Sequence, residues 1–293
     1  MQIIQALSEI SGQYDALFVD LWGCVHDGVR PFPGAVEALI DYRNKGGIVI
    51  LLTNSPRPRD GVAAQLRDEI GVDEGAWDDI ATSGDSARMA MYRGIVGRKV
   101  WHMGMGIAEE AGFFTPPAIV DDPVEIERVP LEQAEGIVCT GPEDPLADPS
   151  LARAAFLAAK TRGLKLLCAN PDIVVDRGDR REWCAGAYAQ LYTEMGGESL
   201  YFGKPHPPIY DLARRRLAKI RDVPDASILA MGDGPATDAA GAMGEDLDLL
   251  FMTGGLGAEE TGTSIGGDPD PDKLSAYLEA HGVAPRYVIG TLR

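Results

Sequence analysis

The sequence has few cysteines, and their arrangement limits the structural roles they can have. Its 293 residues include only four, and none belongs to a CxxC pair. Cys24, Cys139, Cys168 and Cys184 all lie in apolar stretches. We therefore expect small buried residues rather than a disulfide framework or a zinc site.

Long apolar runs are also missing. No stretch is long and apolar enough to span a bilayer. The N-terminal MQIIQALSEISGQYDA lacks the basic start and the continuous apolar segment of a secretory signal. These absences predict a cytoplasmic protein without a membrane partner.

Positive charge is scarce: 27 basic residues stand against 45 acidic ones, which gives a net charge of -18. Such a field repels the phosphates of nucleic acids, so we expect no nucleic-acid partner. An anionic substrate would need a locally positive site, made by a metal ion or a helix N-terminus.

What the sequence does contain is a series of short apolar runs, most of them followed by helix-compatible segments. The runs are ALFVD from Ala16, GIVILLT from Gly47, GRKVWHMG from Gly97, EGIVCTG from Glu135, LKLLCAN from Leu164, ASILAMGD from Ala226 and LDLLFMTGG from Leu247. Near-continuous runs suit strands that are covered on both faces. The alternation predicts an α/β fold with parallel sheets, whose ligands bind at the carboxyl ends of the strands.

Glycine-rich positions suggest where one domain interrupts another. One cluster lies at 94–97 and a second at 197–203. Two chain crossings at such positions suit an inserted domain that can hinge. We predict a discontinuous core over 1–96 and 201–293, with an inserted α/β domain over 97–200.

Polar residues end three of the runs. Asp20 closes the first, Thr53 and Asn54 close the second, and Asp233 follows the sixth, with Asp238 five positions later. Two carboxylates across a strand-to-helix turn can bind one hard cation, and a strand-to-helix junction can hold an anion. Each of these residues could instead cap a helix or form a turn.

A lysine completes the set. Lys204 stands between Gly203 and Pro205, so the proline restricts the backbone that carries its charge. Alone, such a lysine would usually be only a solvated surface residue.

In their order, these residues resemble the motifs of the haloacid dehalogenase-like hydrolase superfamily. The resemblance is strongest to its class IIA branch of NagD-like sugar phosphatases and 4-nitrophenyl phosphatases, and it covers nearly the whole chain. The phrases that carry it are FVDLWGCVHDGVRPFPGAVEAL, ILLTNSPRP, ATSGD, GRKVWHMG, CANPD, FGKP and MGDGPATDAAGA. It implies a three-layer, doubly wound, Rossmann-like core with parallel strands and an inserted α/β cap.

The resemblance also implies a Mg²⁺-dependent phosphatase. Asp20 would be the nucleophile and would form an aspartyl-phosphate. Mg²⁺ would be held by Asp20, Asp233 and Asp238, together with the backbone carbonyl of Trp22.

Three further residues would hold the phosphoryl oxygens: Thr53, Asn54 and Lys204. In the cap, Asn170 and Asp172 would line the pocket and select the leaving group, although the sequence Asn170-Pro171-Asp172 fits an ordinary turn equally well.

One position departs from the family pattern. Phosphatases of this family usually have a second aspartate two residues after the nucleophile, which protonates the leaving oxygen, but Trp22 stands there. Indole cannot shuttle a proton, so we expect slow turnover on poor leaving groups and measurable turnover on activated esters. His26 and Asp27 are candidate substitutes, although Asp27 and Gly28 also read as a simple turn.

Two alternatives to a phosphatase remain open at this point. Loss of catalysis would leave a protein that binds phosphorylated metabolites or another partner. The second alternative is hydrolysis of a carbon–halogen bond, because haloacid dehalogenases have a tyrosine two residues after the nucleophile, where Trp22 stands. Those enzymes, however, work without metal. As ligand we expect a small phosphorylated metabolite. Relatives of this branch often pair through the cap, so a homodimer through the cap is a further expectation.

Overall fold

The computed structural model describes residues 1–104, 106, 112–118, 120–177, 180–264 and 266–293. Within them the chain divides into two compact units. The first comprises Met1–Thr53, Ala64–Ala81 and Tyr210–Arg293, and the second comprises Asn54–Ala63 and Thr82–Ile209. The insertion over 97–200 falls inside the second unit, and its bounds stay a prediction.

The strands of the described residues are numbered here in chain order. They are β1 (Gln2–Ile3), β2 (Ala16–Val19), β3 (Ile48–Thr53), β4 (Asp79–Thr82), β5 (Lys99–Met103), β6 (Glu127–Arg128), β7 (Gly136–Cys139), β8 (Lys165–Cys168), β9 (Val174–Arg177), β10 (Arg180–Trp183), β11 (Glu198–Tyr201), β12 (Ile228–Gly232), β13 (Asp248–Met252) and β14 (Tyr287–Ile289). All seven apolar runs of the sequence form strands, as predicted.

The α-helices of the same residues follow in the same way. They are α1 (Pro33–Asn44), α2 (Arg59–Ala64), α3 (Ser83–Met91), α4 (Arg153–Thr161), α5 (Ala185–Glu194), α6 (Pro207–Ala218), α7 (Ala240–Gly244) and α8 (Pro271–His281). Residues Gln65–Ile70 and Pro235–Ala239 add π-helical turns.

The first unit is built on a seven-stranded sheet with the order β1-β14-β13-β12-β2-β3-β4. The pairs from β1 to β3 are parallel. Every residue of β2, β3 and β12 is buried, as expected of strands covered on both faces. This arrangement confirms the predicted α/β fold with a parallel, doubly wound sheet.

The second unit has its own five-stranded sheet, ordered β11-β8-β7-β5-β6, and its pairs are parallel. Strands β9 and β10, which follow β8 in the chain, form a separate antiparallel pair. Phe156 of α4 and Tyr192 of α5 are fully buried in the core of the second unit. The α/β character expected for the inserted domain is therefore present in this unit.

Helix ends follow local sequence signals. Thr82 caps α3, since its hydroxyl accepts the backbone N–H of Asp85, and Asp270 caps α8 through the N–H groups of Asp272 and Lys273. Such caps satisfy amide groups that the first turn leaves unpaired. In the part of the chain that the structure describes, no helix has both the length and the apolar character to cross a membrane.

Candidate active site

The carboxyl ends of three neighbouring strands carry the predicted residues of the first unit. Strand β2 lies between β12 and β3, with Val19 opposite Met231 on one side and Leu51 on the other. Asp20 directly follows β2, and its backbone N–H donates to the carbonyl of Met231 at 2.9 Å. Parallel pairing therefore places Asp20 at the sheet edge where Thr53 ends β3 and Asp233 follows β12.

Two carboxylates and one thiol converge at this edge. Ligand atoms of Asp20, Cys24 and Asp233 lie within 4.8 Å of one another, and all three residues are buried. The thiol of Cys24 lies 3.8 Å from Oδ2 of Asp20. Carboxylate oxygens at this spacing suit a hard divalent cation.

Glycines make room for the carboxylate of Asp233. A Cβ atom at Gly23 or Gly255 would collide with that carboxylate. The backbone N–H of Leu256 donates to Asp233 Oδ2 at 2.8 Å. The side chain is thus held by a fixed backbone donor between two positions that have no side chain, and the residues present fit a bound cation.

Asp238 is buried close by, but it has a different local role. Its Oδ2 accepts the backbone N–H of Gly234 at 3.1 Å and the hydroxyl of Thr237 at 3.3 Å. A Cβ on Gly232 would collide with this side chain. Asp238 therefore braces the turn that carries Asp233, and it is not one of the three residues that converge in the cluster.

Trp22 packs within the loop after Asp20. A Cβ at Gly28 would collide with its indole ring, and the ring makes an edge contact with His26 at a centroid distance of 5.5 Å. Gly28 has a φ of 86°, which favours glycine at this turn. The indole thus packs against Gly28 and His26 of the same loop, and position 22 offers no carboxylic acid.

The two candidate proton donors have poor properties for that role at neutral pH. His26 is 4% exposed, and burial lowers its pKa to about 4, against a smaller opposite effect of Asp27. Its Nδ1 accepts the backbone N–H of Gly28 at 2.9 Å, so the ring is neutral. Asp27 forms a turn in which its side chain accepts the N–H of Arg30, and this hydrogen bond lowers the pKa of Asp27 below its ordinary value. The group is therefore an ionised carboxylate at neutral pH.

In the second unit, Asn54 and Lys204 lie together and both are buried. The backbone N–H of Lys204 donates to Asn54 Oδ1 at 2.7 Å, and Asn54 Nδ2 donates to the carbonyl of Lys204 at 3.2 Å. The same Nδ2 donates to Oδ1 of Asp172 at 2.8 Å. These three predicted residues therefore form one hydrogen-bonded group.

Asn170 closes a turn beside that group. Its Oδ1 accepts the backbone N–H of Asp172 at 3.0 Å, which is the turn geometry that the sequence also allowed. The carbonyl of Asp172 accepts from Gly186 at 3.1 Å. The N–H and the carbonyl of Asp172 are thus both hydrogen-bonded, and the side-chain oxygen of Asn170 accepts from the backbone of its own turn.

Cys24 was not predicted from the sequence as a member of the cluster. The sequence predicted only that the four cysteines are buried and unbridged, which the structure confirms. The signal that could have found it is its position four residues after Asp20, within the turn that glycine allows at Gly23, where φ is 80°.

The chain matches two family models. One, described as haloacid dehalogenase-like hydrolase, covers residues 17–112, and one described as HAD-hydrolase-like covers 201–288. A solved hydrolase of the haloacid dehalogenase-like family from Brucella suis is 38% identical, with a TM-score of 0.84, over 99% of this chain and 100% of that one.

Two more distant matches have named activities. A D-glycerol 3-phosphate phosphatase of Mycobacterium tuberculosis is 29% identical over 254 residues, and the match spans 85% of this chain but only 65% of that protein. A glycerol phosphate phosphatase from M. tuberculosis, solved with magnesium, is 21% identical with a TM-score of 0.65, over 97% of this chain and 77% of that one. This second likeness shows the shared fold.

Proposed function

The chain belongs to the haloacid dehalogenase-like hydrolase family, and on that premise we propose that it hydrolyses small phosphate monoesters through an aspartyl-phosphate on Asp20. The observation that carries the proposal is the convergence of Asp20 and Asp233 at the carboxyl ends of neighbouring strands. A buried carboxylate pair of this kind has little structural value unless a cation offsets its charge.

Asp20 and Asp233 would hold Mg²⁺, together with the backbone carbonyl of Trp22 as the other predicted ligand. Asp238 would support them by bracing the turn that carries Asp233. Bound there, the ion would supply the positive charge that lets a carboxylate approach a phosphate dianion. The glycerol phosphate phosphatase of M. tuberculosis has been solved with magnesium and with calcium, which supports a divalent cation at this site.

The chemistry then depends on Asp20. One carboxylate oxygen attacks phosphorus, and the bond from phosphorus to the ester oxygen breaks with its electron pair leaving on that oxygen. Water next attacks the phosphorus and loses a proton to the solvent, while the bond from phosphorus to the Asp20 oxygen breaks, which releases orthophosphate and the free carboxylate. Thr53 and Lys204 remain the residues that we expect to bind the phosphoryl oxygens.

Leaving groups that need no proton should react fastest. The position of the usual acid holds Trp22, His26 is neutral, and Asp27 is already ionised. An ester such as 4-nitrophenyl phosphate leaves as a stable anion, so the missing acid costs it little, whereas an alkyl phosphate loses the benefit of general acid catalysis, typically about a hundred- to ten thousandfold.

The test is release of 4-nitrophenol with Mg²⁺ present and absent. We expect metal-dependent turnover in the parent, a loss of about a thousandfold or more in Asp20→Asn, and parent-like rates in Asp15→Asn, a matched change at an exposed site of the first unit. A screen should then include glycerol 3-phosphate, because a relative is named for it, together with sugar phosphates and nucleotides.

Trp22 favours a second candidate, a phosphometabolite-binding protein without turnover. It would bind orthophosphate in the presence of Mg²⁺ and release no product from any ester. Halide release from a 2-haloacid without metal would instead indicate the dehalogenase reaction, and the carboxylate pair argues against it. The same enzyme preparation distinguishes all three.

A further inference from the structure

The carboxamide of Asn54 is fully engaged with protein groups. It is 4% exposed. A side-chain amide has two N–H donors and one acceptor oxygen. Here the oxygen accepts from the N–H of Lys204, and Nδ2 donates to the carbonyl of Lys204 and to the carboxylate of Asp172.

We infer that Asn54 is a positioning residue, which holds the backbone of Lys204 and the carboxylate of Asp172 in a fixed relation, rather than a side-chain ligand of phosphate. The inference rests on the proposed function, which assigns Lys204 to the phosphoryl group, and on the role at the leaving group that the sequence predicts for Asp172. A phosphate oxygen could reach the Nδ2 hydrogens only by displacing one of these two partners.

The double contact with Lys204 explains why asparagine is suited to the position. The planar amide pairs with both the N–H and the C=O of a single residue, as a neighbouring strand would. Aspartate has the same size but no donor, so it would direct a carboxylate at the carbonyl of Lys204 and at the carboxylate of Asp172. Serine is too short to make both contacts.

Close packing around Gly203 brings the partners within reach. A Cβ there would lie 2.5 Å from Asn54 Oδ1, 2.7 Å from Pro171 Cδ and 2.7 Å from Ser83 Oγ. The missing side chain therefore lets the Asn54 amide approach the backbone that leads into Lys204. Pro171, which precedes Asp172, also packs against Gly203, which precedes Lys204. The segments that carry Lys204 and Asp172, the two residues that Asn54 joins, are therefore packed together.

The hydrogen bond between positions 54 and 172 can be reversed by exchanging the two residues. In the double variant Asn54→Asp with Asp172→Asn, the new amide at 172 donates to the new carboxylate at 54. The total charge is unchanged and the N–H of Lys204 keeps its acceptor. Only the bond to the carbonyl of Lys204 stays lost.

The experiment compares kcat and KM for 4-nitrophenyl phosphate and for the best alkyl phosphate. We expect Asn54→Asp to lower kcat/KM about ten- to a hundredfold, the effect of losing one or two buried hydrogen bonds and leaving their partners unpaired. Asp172→Asn alone keeps an acceptor oxygen for Asn54 and supplies the single-variant reference against which the double variants are compared.

The decisive comparison is between two double variants of equal charge. Asn54→Asp with Asp172→Asn should recover about tenfold over Asn54→Asp, whereas Asn54→Asp with Asp172→Ala, which cannot form the bond, should recover nothing. Equal recovery by both would show that only charge matters, and recovery by neither would show that the carboxamide acts directly on phosphate. Either result overturns the inference.

Failure of the proposed function would look different. An inactive parent would sink the phosphatase proposal, and the affinity for orthophosphate with Mg²⁺, measured by isothermal titration calorimetry, would then be compared across the same variants. Asn54→Ser, which introduces no charge, provides the second variant if Asn54→Asp does not fold. Circular dichroism of each variant checks that a loss of activity or binding is not a loss of structure.

Discussion

The thiol of Cys24 lies 3.8 Å from Oδ2 of Asp20, the predicted nucleophile, and both residues are buried. The turn between them makes this contact. The N–H of Val25 donates to the carbonyl of Leu21 at 2.8 Å, which folds the chain back beside the end of β2. A soft sulfur donor thus stands beside two hard carboxylates.

Cys24 should change which metals the site prefers. Mg²⁺ binds oxygen, so Cys24→Ser should leave its affinity within about threefold, whereas thiolate ligands favour softer ions. We expect Co²⁺ added to the parent to give a near-ultraviolet thiolate-to-cobalt absorption that Cys24→Ser lacks. Cys139→Ser is the matched control, since burial raises the pKa of Cys139 to about 12 and it should keep the absorption. Identical spectra for the parent and Cys24→Ser would contradict the prediction.

Gly255 should not tolerate a side chain. Its Cβ would collide with the carboxylate of Asp233, so Gly255→Ala should displace that group and lower metal-dependent activity at least about a hundredfold, as misplacement of a reacting group by about an ångström can. Mg²⁺ affinity should fall with it. Gly244→Ala is the control, because nothing lies within 4 Å of that Cβ. Parent-like affinity in Gly255→Ala would mean that Asp233 is not a metal ligand.

The sequence was sufficient to predict the strands that carry the site. Runs such as that of β3 are apolar along their whole length because both faces are buried, and no amphipathic helix has that pattern. A polar residue at the end of such a run, as at Asp20, is therefore noticeable from sequence alone. Strand β1 was missed, since its two residues, Gln2–Ile3, form no periodic pattern.

Contacts that depend on the tertiary path could not be predicted in the same way. Asn54 and Asp172 are 118 residues apart, and no local pattern specifies their hydrogen bond. From the sequence, Asn54 was predicted to bind phosphate and Asp172 to contact the leaving group, as two separate roles. The link between them depends on the path that brings Asn54 beside the turn at Pro171, which only the folded chain determines.

A chain of buried hydroxyls should stabilise the loop that holds Asp233. Thr263 Oγ1 donates to Thr253 Oγ1 at 2.8 Å, and Thr261 shares a hydrogen bond with Thr263 at 2.8 Å. Thr263→Val keeps the shape but removes one hydrogen bond from each neighbour, while Thr261 keeps its bond to the carbonyl of Gly257 and Thr253 its bond to that of Ile289. We therefore expect a loss of about 1–2 kcal/mol in the free energy of unfolding. Urea denaturation measures it.

The control for that change is Thr161→Val, at an exposed position whose hydroxyl donates to the carbonyl of Leu157 in its own helix. It should alter the free energy of unfolding by less than about 0.5 kcal/mol. Equal effects at the two positions would show that the hydroxyl chain adds nothing beyond ordinary helix and loop contacts.

The buried imidazole of His26 should make stability depend on pH. Burial lowers its pKa from 6.5 to about 4 in the folded protein. Between these values the unfolded chain binds a proton that the folded chain does not, so the free energy of unfolding falls as pH drops from 6.5 towards 4. Protonation would also remove the acceptor for the N–H of Gly28. The contribution lost amounts to about 3 kcal/mol.

Metal-free protein should be used, and the parent compared with His26→Gln. Carboxylates titrate near the lower end of the same range in both proteins, so the difference between their free energies of unfolding isolates the imidazole. We expect that difference to be constant above pH 7 and to shrink on acidification, because the glutamine variant binds no proton at position 26. Parallel curves from pH 7 to 4 would mean that His26 titrates in the folded state near its ordinary pKa, and the burial argument would then be wrong.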